Sequence, residues 1–219
     1  MKIVSIVYLL LALAGISLNF FPLFAGVGVI KAIPACLLAA AALAYTRNVF
    51  WNWVALGVFC GAMGDFFLAS LSKTWYLPGL VAFLLGHLFY IAAFRKNCKA
   101  TSGKIMILAA CAMVIIALMT GAALKVTRTG EFFMIPPGIL YAAVILTMTS
   151  IAVLHKSTTR LIALGAIVFV ISDAHIVLNF AILTAPWLPL TITGYTTYYL
   201  AQYLIILGAV REAQAVNPL

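Results

Sequence analysis

The stretch Ala55-Leu56-Gly57-Val58-Phe59-Cys60-Gly61-Ala62-Met63-Gly64-Asp65-Phe66-Phe67-Leu68 decides the fold, because it sets one carboxylate inside an apolar run long enough to cross a bilayer. A charge at the bilayer centre costs about 2.5–3.5 kcal/mol on insertion scales, so an aspartate kept there faces a polar cavity or a partner instead of lipid. The stretch has a counterpart. Ala163-Leu164-Gly165-Ala166-Ile167-Val168-Phe169-Val170-Ile171-Ser172-Asp173 repeats the Ala-Leu-Gly opening and places its Asp eight residues after the Gly, as the first does. The chain has four acidic residues, Asp65, Glu131, Asp173 and Glu212, and two of them hold equivalent positions in these segments.

Outward from these stretches, 66% of the 219 residues are hydrophobic and 8% are charged, whereas a soluble domain carries about a quarter charged residues. Apolar runs near twenty residues, with no strand-like alternation, predict an all-α polytopic membrane protein and exclude a barrel. Eight spans are expected: Ile3 to about Phe21, Ala32 to Thr46, Phe50 to Leu71, Tyr76 to Phe94, Lys104 to Ala123, Phe132 to Leu154, Leu161 to Thr184 and Leu188 to Val210. Residues 1–219 then form a single integral membrane domain. The first run is read as a span and not as a secretory signal, being long for a signal core, with its small-x-small triplet, Ala12 to Ala14, too early for cleavage.

The formal charge of +9 comes from thirteen Lys and Arg scattered through short connections, which excludes a nucleic-acid stripe and reads as orientation. With a cytoplasmic N-terminus, Lys2, Arg47, Arg95, Lys96, Lys99, Lys104, Lys156, Arg160 and Arg211 lie inside, against Lys31, Lys73, Lys125 and Arg128 outside. That excess predicts a multi-pass protein of a bacterial inner membrane with both termini cytoplasmic. Trp51, Trp53, Trp75, Tyr76 and Trp187 fall near span ends, where aromatic belts form. Cys36, Cys60, Cys98 and Cys111 form no Cys-x-x-Cys pair and read as small buried hydrophobes without a disulfide framework. The 108-residue separation of Asp65 and Asp173 suggests two four-helix halves, with spans three and seven equivalent and a pseudo-twofold along the membrane normal.

Gly57, Gly61 and Gly64 make a smooth strip for close helix approach beside Asp65. His87 lies near the centre of span four and shares a face with Tyr90, three residues on; Tyr199 and Gln202 repeat that spacing in span eight. In span seven Ser172, His175 and Asn179 form a polar stripe, while Asp173 points about 100° from Ser172. His155, in a basic connection, is expected to be solvated or to face headgroups. Helix rise puts Asp65, His87, Asp173 and Tyr199 at overlapping depths, so they are expected to line one cavity. Without a His-x-x-x-His or Cys-x-x-Cys pair a zinc site is unsupported, and without Gly-x-Ser-x-Gly so is a serine lipase.

The ordered set Gly64-Asp65, Gly86-His87-x-x-Tyr90, Phe169-x-x-Ser172-Asp173 and Tyr199-x-Ala201-Gln202 resembles the YhhN-like family of membrane proteins, which includes the mammalian lysoplasmalogenases. The resemblance covers essentially the whole chain. It implies hydrolysis of the vinyl ether bond of a lysoplasmalogen, with the lysophospholipid and water as reactants, membrane lipids as surroundings, and no metal or cofactor. Asp65, Asp173 and His87 become the candidate catalytic residues, and Tyr90, Tyr199, Gln202, Ser172, His175 and Asn179 the candidate substrate-binding residues. The chemistry fits two carboxyls: a vinyl ether is protonated at its β-carbon, and the oxocarbenium ion that results takes up water, the kind of cation that carboxylate pairs manage in glycoside hydrolysis. Nearby buried carboxyls resist joint ionisation, so one can serve as acid while the other steadies the cation and activates water; the sequence leaves open which is which. A proton-coupled carrier of lipids or small molecules is the competing class, since paired halves with midplane carboxylates also occur in transporters. Oligomeric state has no signature in the sequence.

Overall fold

Eight α-helices joined by short connections make up most of the residues described by the computed structural model, namely 2–21, 26–45, 49–69, 73–96, 98–157, 159–183 and 187–216. They are α1 (Lys2–Ser17), α2 (Val27–Tyr45), α3 (Val49–Leu68), α4 (Lys73–Phe94), α5 (Ser102–Thr129), α6 (Ile135–Leu154), α7 (Leu161–Ile176) and α8 (Leu188–Val216). The span ends expected at Thr46, Leu71 and Thr184, and Arg47 of the charge count, lie outside the described residues. Seven helices, α1 to α7, are long and apolar enough to cross a membrane. The eighth, α8, has the length, at 29 residues, but its Thr, Tyr and Gln residues lower its hydropathy. That polarity is turned inward, since Tyr198, Tyr199 and Gln202 are all buried.

Three boundaries differ from expectation. Helix α2 starts at Val27 and so includes Lys31, while α5 runs past Ala123 to Thr129 and α8 past Val210 to Val216. Charged residues at 31, 125 and 211 looked like connection signals; instead they lie on helices, where a long cationic side chain can reach a partner or the surface from inside a helix. Helix α7 changes character after Ile176, passing into a π-helical segment, Val177–Ile182, a local form frequent at functional sites.

The closest packing joins α3 to α4, α7 to α8 and α2 to α3, while α5 lies at the periphery against α6, α7 and the π segment. Each of the two counterpart stretches thus belongs to a tight helix pair. At Gly165 a Cβ would stand 3.0 Å from the Ala201 carbonyl oxygen and 2.8 Å from Ile205, so glycine lets α8 lie directly on α7. Gly61 has a different purpose: a side chain there would strike Gln202 and Tyr198, whose polar groups occupy the space it leaves. Trp51 is fully buried in the core and is no belt residue, whereas Trp75 and Trp187 are exposed. Cys36 and Cys98 are exposed and only Cys111 is fully buried, so the reading of all four as buried hydrophobes fails.

His155 is likewise buried, contrary to expectation, and ties three segments together. It caps α6; its Nδ1 faces the carbonyls of Phe94 at 3.0 Å and Lys96 at 2.9 Å, and its Nε2 pairs with Glu212 of α8 at 2.9 Å. Nothing near His155 in the chain signals this, because the partners lie 57 to 61 residues away. The Glu212 hydrogen bond outweighs burial and raises the His155 pKa above the usual histidine value. The stabilisation is therefore complete below about pH 6.5, the unfolded value, and is lost as pH rises through the higher folded value. Thermal unfolding in detergent is expected to show wild type above His155→Gln near pH 6, with the gap closing at alkaline pH. A gap that does not change with pH would remove the ion pair as its cause.

Candidate functional site

Three helices converge on Asp173. Helix α4 supplies His87, α6 supplies Tyr141, and all three side chains are buried. The Tyr141 hydroxyl donates to Asp173 Oδ2 at 2.7 Å, His87 Nε2 lies 3.1 Å from the same oxygen, and His87 Nε2 and the Tyr141 hydroxyl are 3.3 Å apart. With its N–H on Nε2 toward Oδ2, His87 leaves Nδ1 without a partner among the described residues. Asp173 Oδ1 has no protein partner among those residues either. One carboxyl oxygen is therefore held by two donors while the other is buried without a partner among the described residues.

Asp173 borders a cavity of about 640 Å³ between α4, α5, α6 and α7, within the range of small-molecule pockets. Its walls are aliphatic, among them Ile115, Met119, Ile145 and Val170, with Tyr76, Thr120, Tyr141 and Asp173 as the polar exceptions. Such a lining suits a hydrocarbon chain with one reactive point.

Asp65 does not share this cavity. It is 2% exposed and lines a separate, smaller space of about 60 Å³, whose other polar residues include Ser172, His175, Asn179, Thr191 and Tyr198 and whose apolar walls include Leu68, Phe83, Ile176 and Leu190. The Tyr198 hydroxyl hydrogen-bonds to Asp65, Gln202 Nε2 donates to that hydroxyl at 3.3 Å, and Gln202 Oε1 accepts from Tyr90. A hydrogen-bonded chain thus runs from α3 through α8 to α4. The expectation of one cavity for Asp65, His87, Asp173 and Tyr199 is overturned, because α7 lies between the carboxyls. Phe169 of α7 packs its ring on His87 at 4.9 Å and on Tyr198 at 5.7 Å, filling the gap. Among the described residues, Ile176 borders both cavities.

The stripe on α7 faces Asp65. Ser172 donates to the Gly194 carbonyl at 3.3 Å, His175 Nδ1 sits 2.6 Å from the Ile171 carbonyl of its own helix, and Asn179 bridges the Trp187 backbone N–H and Thr191. Tyr90, Gln202 and Tyr199 line neither of these two cavities. The Tyr199 hydroxyl instead donates to the Lys31 carbonyl at 2.7 Å, and Tyr8 donates to the Tyr199 carbonyl, bracing α1, α2 and α8. Lys31 itself, placed in an outer connection by the charge count, is 3% exposed, with its ammonium on Asn19 Oδ1 at 2.7 Å and over the Tyr195 ring.

Sequence reasoning missed Tyr141, Tyr198 and Lys31. Tyr198 had a signal: Gly194-Tyr195-Thr196-Thr197-Tyr198 follows Gly86-His87-Leu88-Phe89-Tyr90 at the same 108-residue spacing as the two aspartates. Tyr141 has no counterpart of that kind and sits in an otherwise apolar run.

A family model described as the YhhN family matches residues 28–209. A lysoplasmalogenase of Mycobacterium bovis is 31% identical over 185 residues, covering 81% of this chain and 68% of the relative, and that of Mycobacterium tuberculosis gives the same figures. Lysoplasmalogenase TMEM86A of Bos taurus is 26% identical over 170 residues, covering 74% of this chain and 67% of the relative. No solved structure matches.

Proposed function

This chain belongs to the YhhN family, and we propose on that footing that it is a lysoplasmalogenase, hydrolysing the vinyl ether bond of lysoplasmalogens to a fatty aldehyde and a glycerophospho-ethanolamine or glycerophospho-choline. The observation that carries the reading is Asp173 itself, a carboxyl bordering an apolar cavity, with Oδ2 held by Tyr141 and His87 and Oδ1 buried without a partner among the described residues. The names of the relatives point the same way.

Asp173 delivers a proton from Oδ1 to the β-carbon of the vinyl ether, and the double-bond electron pair forms the new C–H bond. The adjacent carbon becomes an oxocarbenium ion, while the charge left on Asp173 is taken up at Oδ2 by two preorganised donors. Water adds to the cation and loses its proton, and the hemiacetal collapses to aldehyde and glycerol hydroxyl. The water's proton passes to the Asp173 carboxylate, which restores the acid, while Asp65, on the other side of α7, lines with Ser172, His175 and Asn179 the small space that supplies the water. Tyr90 and Gln202 act at a distance, by holding the Tyr198 hydroxyl on Asp65. The protein is a multi-pass membrane protein; a bacterial inner membrane with cytoplasmic termini is supported by the cluster Lys96, Lys99, Lys104, Lys156, Arg160 and Arg211 near one set of helix ends.

Purified protein in detergent is expected to convert a lysoplasmenyl-ethanolamine to fatty aldehyde and glycerophospho-ethanolamine in equal amounts. A fatty acid product would contradict the reaction, and uptake of the lipid into vesicles without product would favour the carrier.

A further inference from the structure

The large cavity ends beneath the α5–α6 turn, and we propose that this fixes the direction in which a lysolipid lies, with the headgroup phosphate bound by Lys125 and Arg128 just beyond that end. This rests on the lysolipid reading of the Asp173 site and adds a second recognition point, outside the reacting cluster. The walls run from Ile115 to Val126 on α5 and from Met134 to Leu146 on α6. One end is lined by Ile115, Ile145 and Val170 and the other, beneath the turn between α5 and α6, by Val126, Met134 and Ile135; Lys125 and Arg128 stand beyond the second end, outside the lining.

Helix geometry sets Lys125, and not Arg128, beside the lining face of α5. Leu118, Ala122 and Lys125 fall at i, i+4 and i+7 on one face of α5, and the first two line the cavity; Arg128 follows one turn later. Lys125 Nζ donates to the Leu183 carbonyl just past the π segment, which fixes the ammonium on the α7 side, and an ammonium has three donors to offer. Arg128 is exposed in the last turn of α5. Glu131 in the same turn leaves the cluster net cationic. Tyr141, which marks the depth of Asp173, lies seven residues after Met134, about 10 Å along a helix. A glycerophospho group fits that gap, and the hydrocarbon is then directed to the end at Ile115 and Ile145. Helices α4 and α5 both border the cavity without extended close packing between them, so a chain longer than the cavity passes to lipid through that seam.

The test uses saturated 1-O-alkyl ethers, which bind but cannot be hydrolysed. Binding of 1-O-alkyl-glycerophospho-ethanolamine and of the phosphate-free 1-O-alkylglycerol is measured on purified wild type and on the double variant Lys125→Gln/Arg128→Gln. Loss of charge-assisted hydrogen bonds to phosphate is expected to weaken the phospholipid by about tenfold or more, leaving the alkylglycerol within about twofold. The double variant Lys99→Gln/Arg211→Gln, at the opposite membrane face, removes the same charge and is expected to change neither. Retained phospholipid affinity in the first variant, or equal loss for both ligands, would overturn the orientation. Failure of the enzymatic reading shows up separately, as normal binding of the saturated ether by a wild type that leaves the vinyl ether intact.

Discussion

Asp173→Asn is expected to fold normally and to lose activity by at least about a hundredfold, the lower range of what a general acid supplies. The fold should survive because the amide oxygen can take the place of Oδ2 and accept from both Tyr141 and His87. What disappears is the transferable proton, since an amide has none at usable acidity. His87→Ala removes one of the two donors that receive the charge at Oδ2 and is expected to cost more activity than His175→Ala, whose ring bonds only to a carbonyl of its own helix. Asp65→Asn is expected to lower turnover without abolishing it, because the residue sits across Ile176 from the reacting cluster and water can add to an oxocarbenium ion unaided. The check is aldehyde release by each purified variant, with its elution profile and melting temperature as controls for folding. A folded Asp173→Asn protein with near-normal turnover would leave the carboxyl a structural group.

The class of fold was legible in the sequence because its determinants are local: apolar runs of spanning length, interrupted by short connections, admit only helices in a bilayer. Asp65, His87 and Asp173 were legible for a related reason, since an ionisable side chain is too costly mid-span to be accidental. How these residues group was not. The two aspartates sit on equivalent positions of counterpart stretches, and equivalence suggested a shared cavity; the structure shows each carboxyl on its own side of α7, with Phe169 between their networks. Tyr198 and Tyr199 are neighbours in sequence but about 100° apart on a helix, and the choice between them depended on which face of α8 meets Asp65. Tyr141 is invisible in the same sense, a tyrosine in an apolar span whose meaning comes from α6 packing against α4 and α7. Lys31 and His155 were misplaced because charge in a membrane protein reads as connection, whereas Asn19, Tyr195 and Glu212, far away in the chain, supply the partners that permit burial.

Carbon protonation by Asp173 is the claim from which the rest follows, and it leaves a mark on the product that ester and phosphodiester hydrolysis do not. In heavy water Asp173 carries a deuteron, which becomes bonded to the former β-carbon, C2 of the aldehyde, and does not wash out quickly near neutral pH. Proton transfer to carbon is slow compared with exchange between oxygen acids, so turnover should also fall in heavy water. The decisive measurement is mass spectrometry of the aldehyde, trapped as it forms from a lysoplasmenyl-ethanolamine in heavy water by wild-type protein. One deuterium at C2 in essentially every product molecule is the predicted result; an aldehyde without deuterium at C2 would contradict the mechanism.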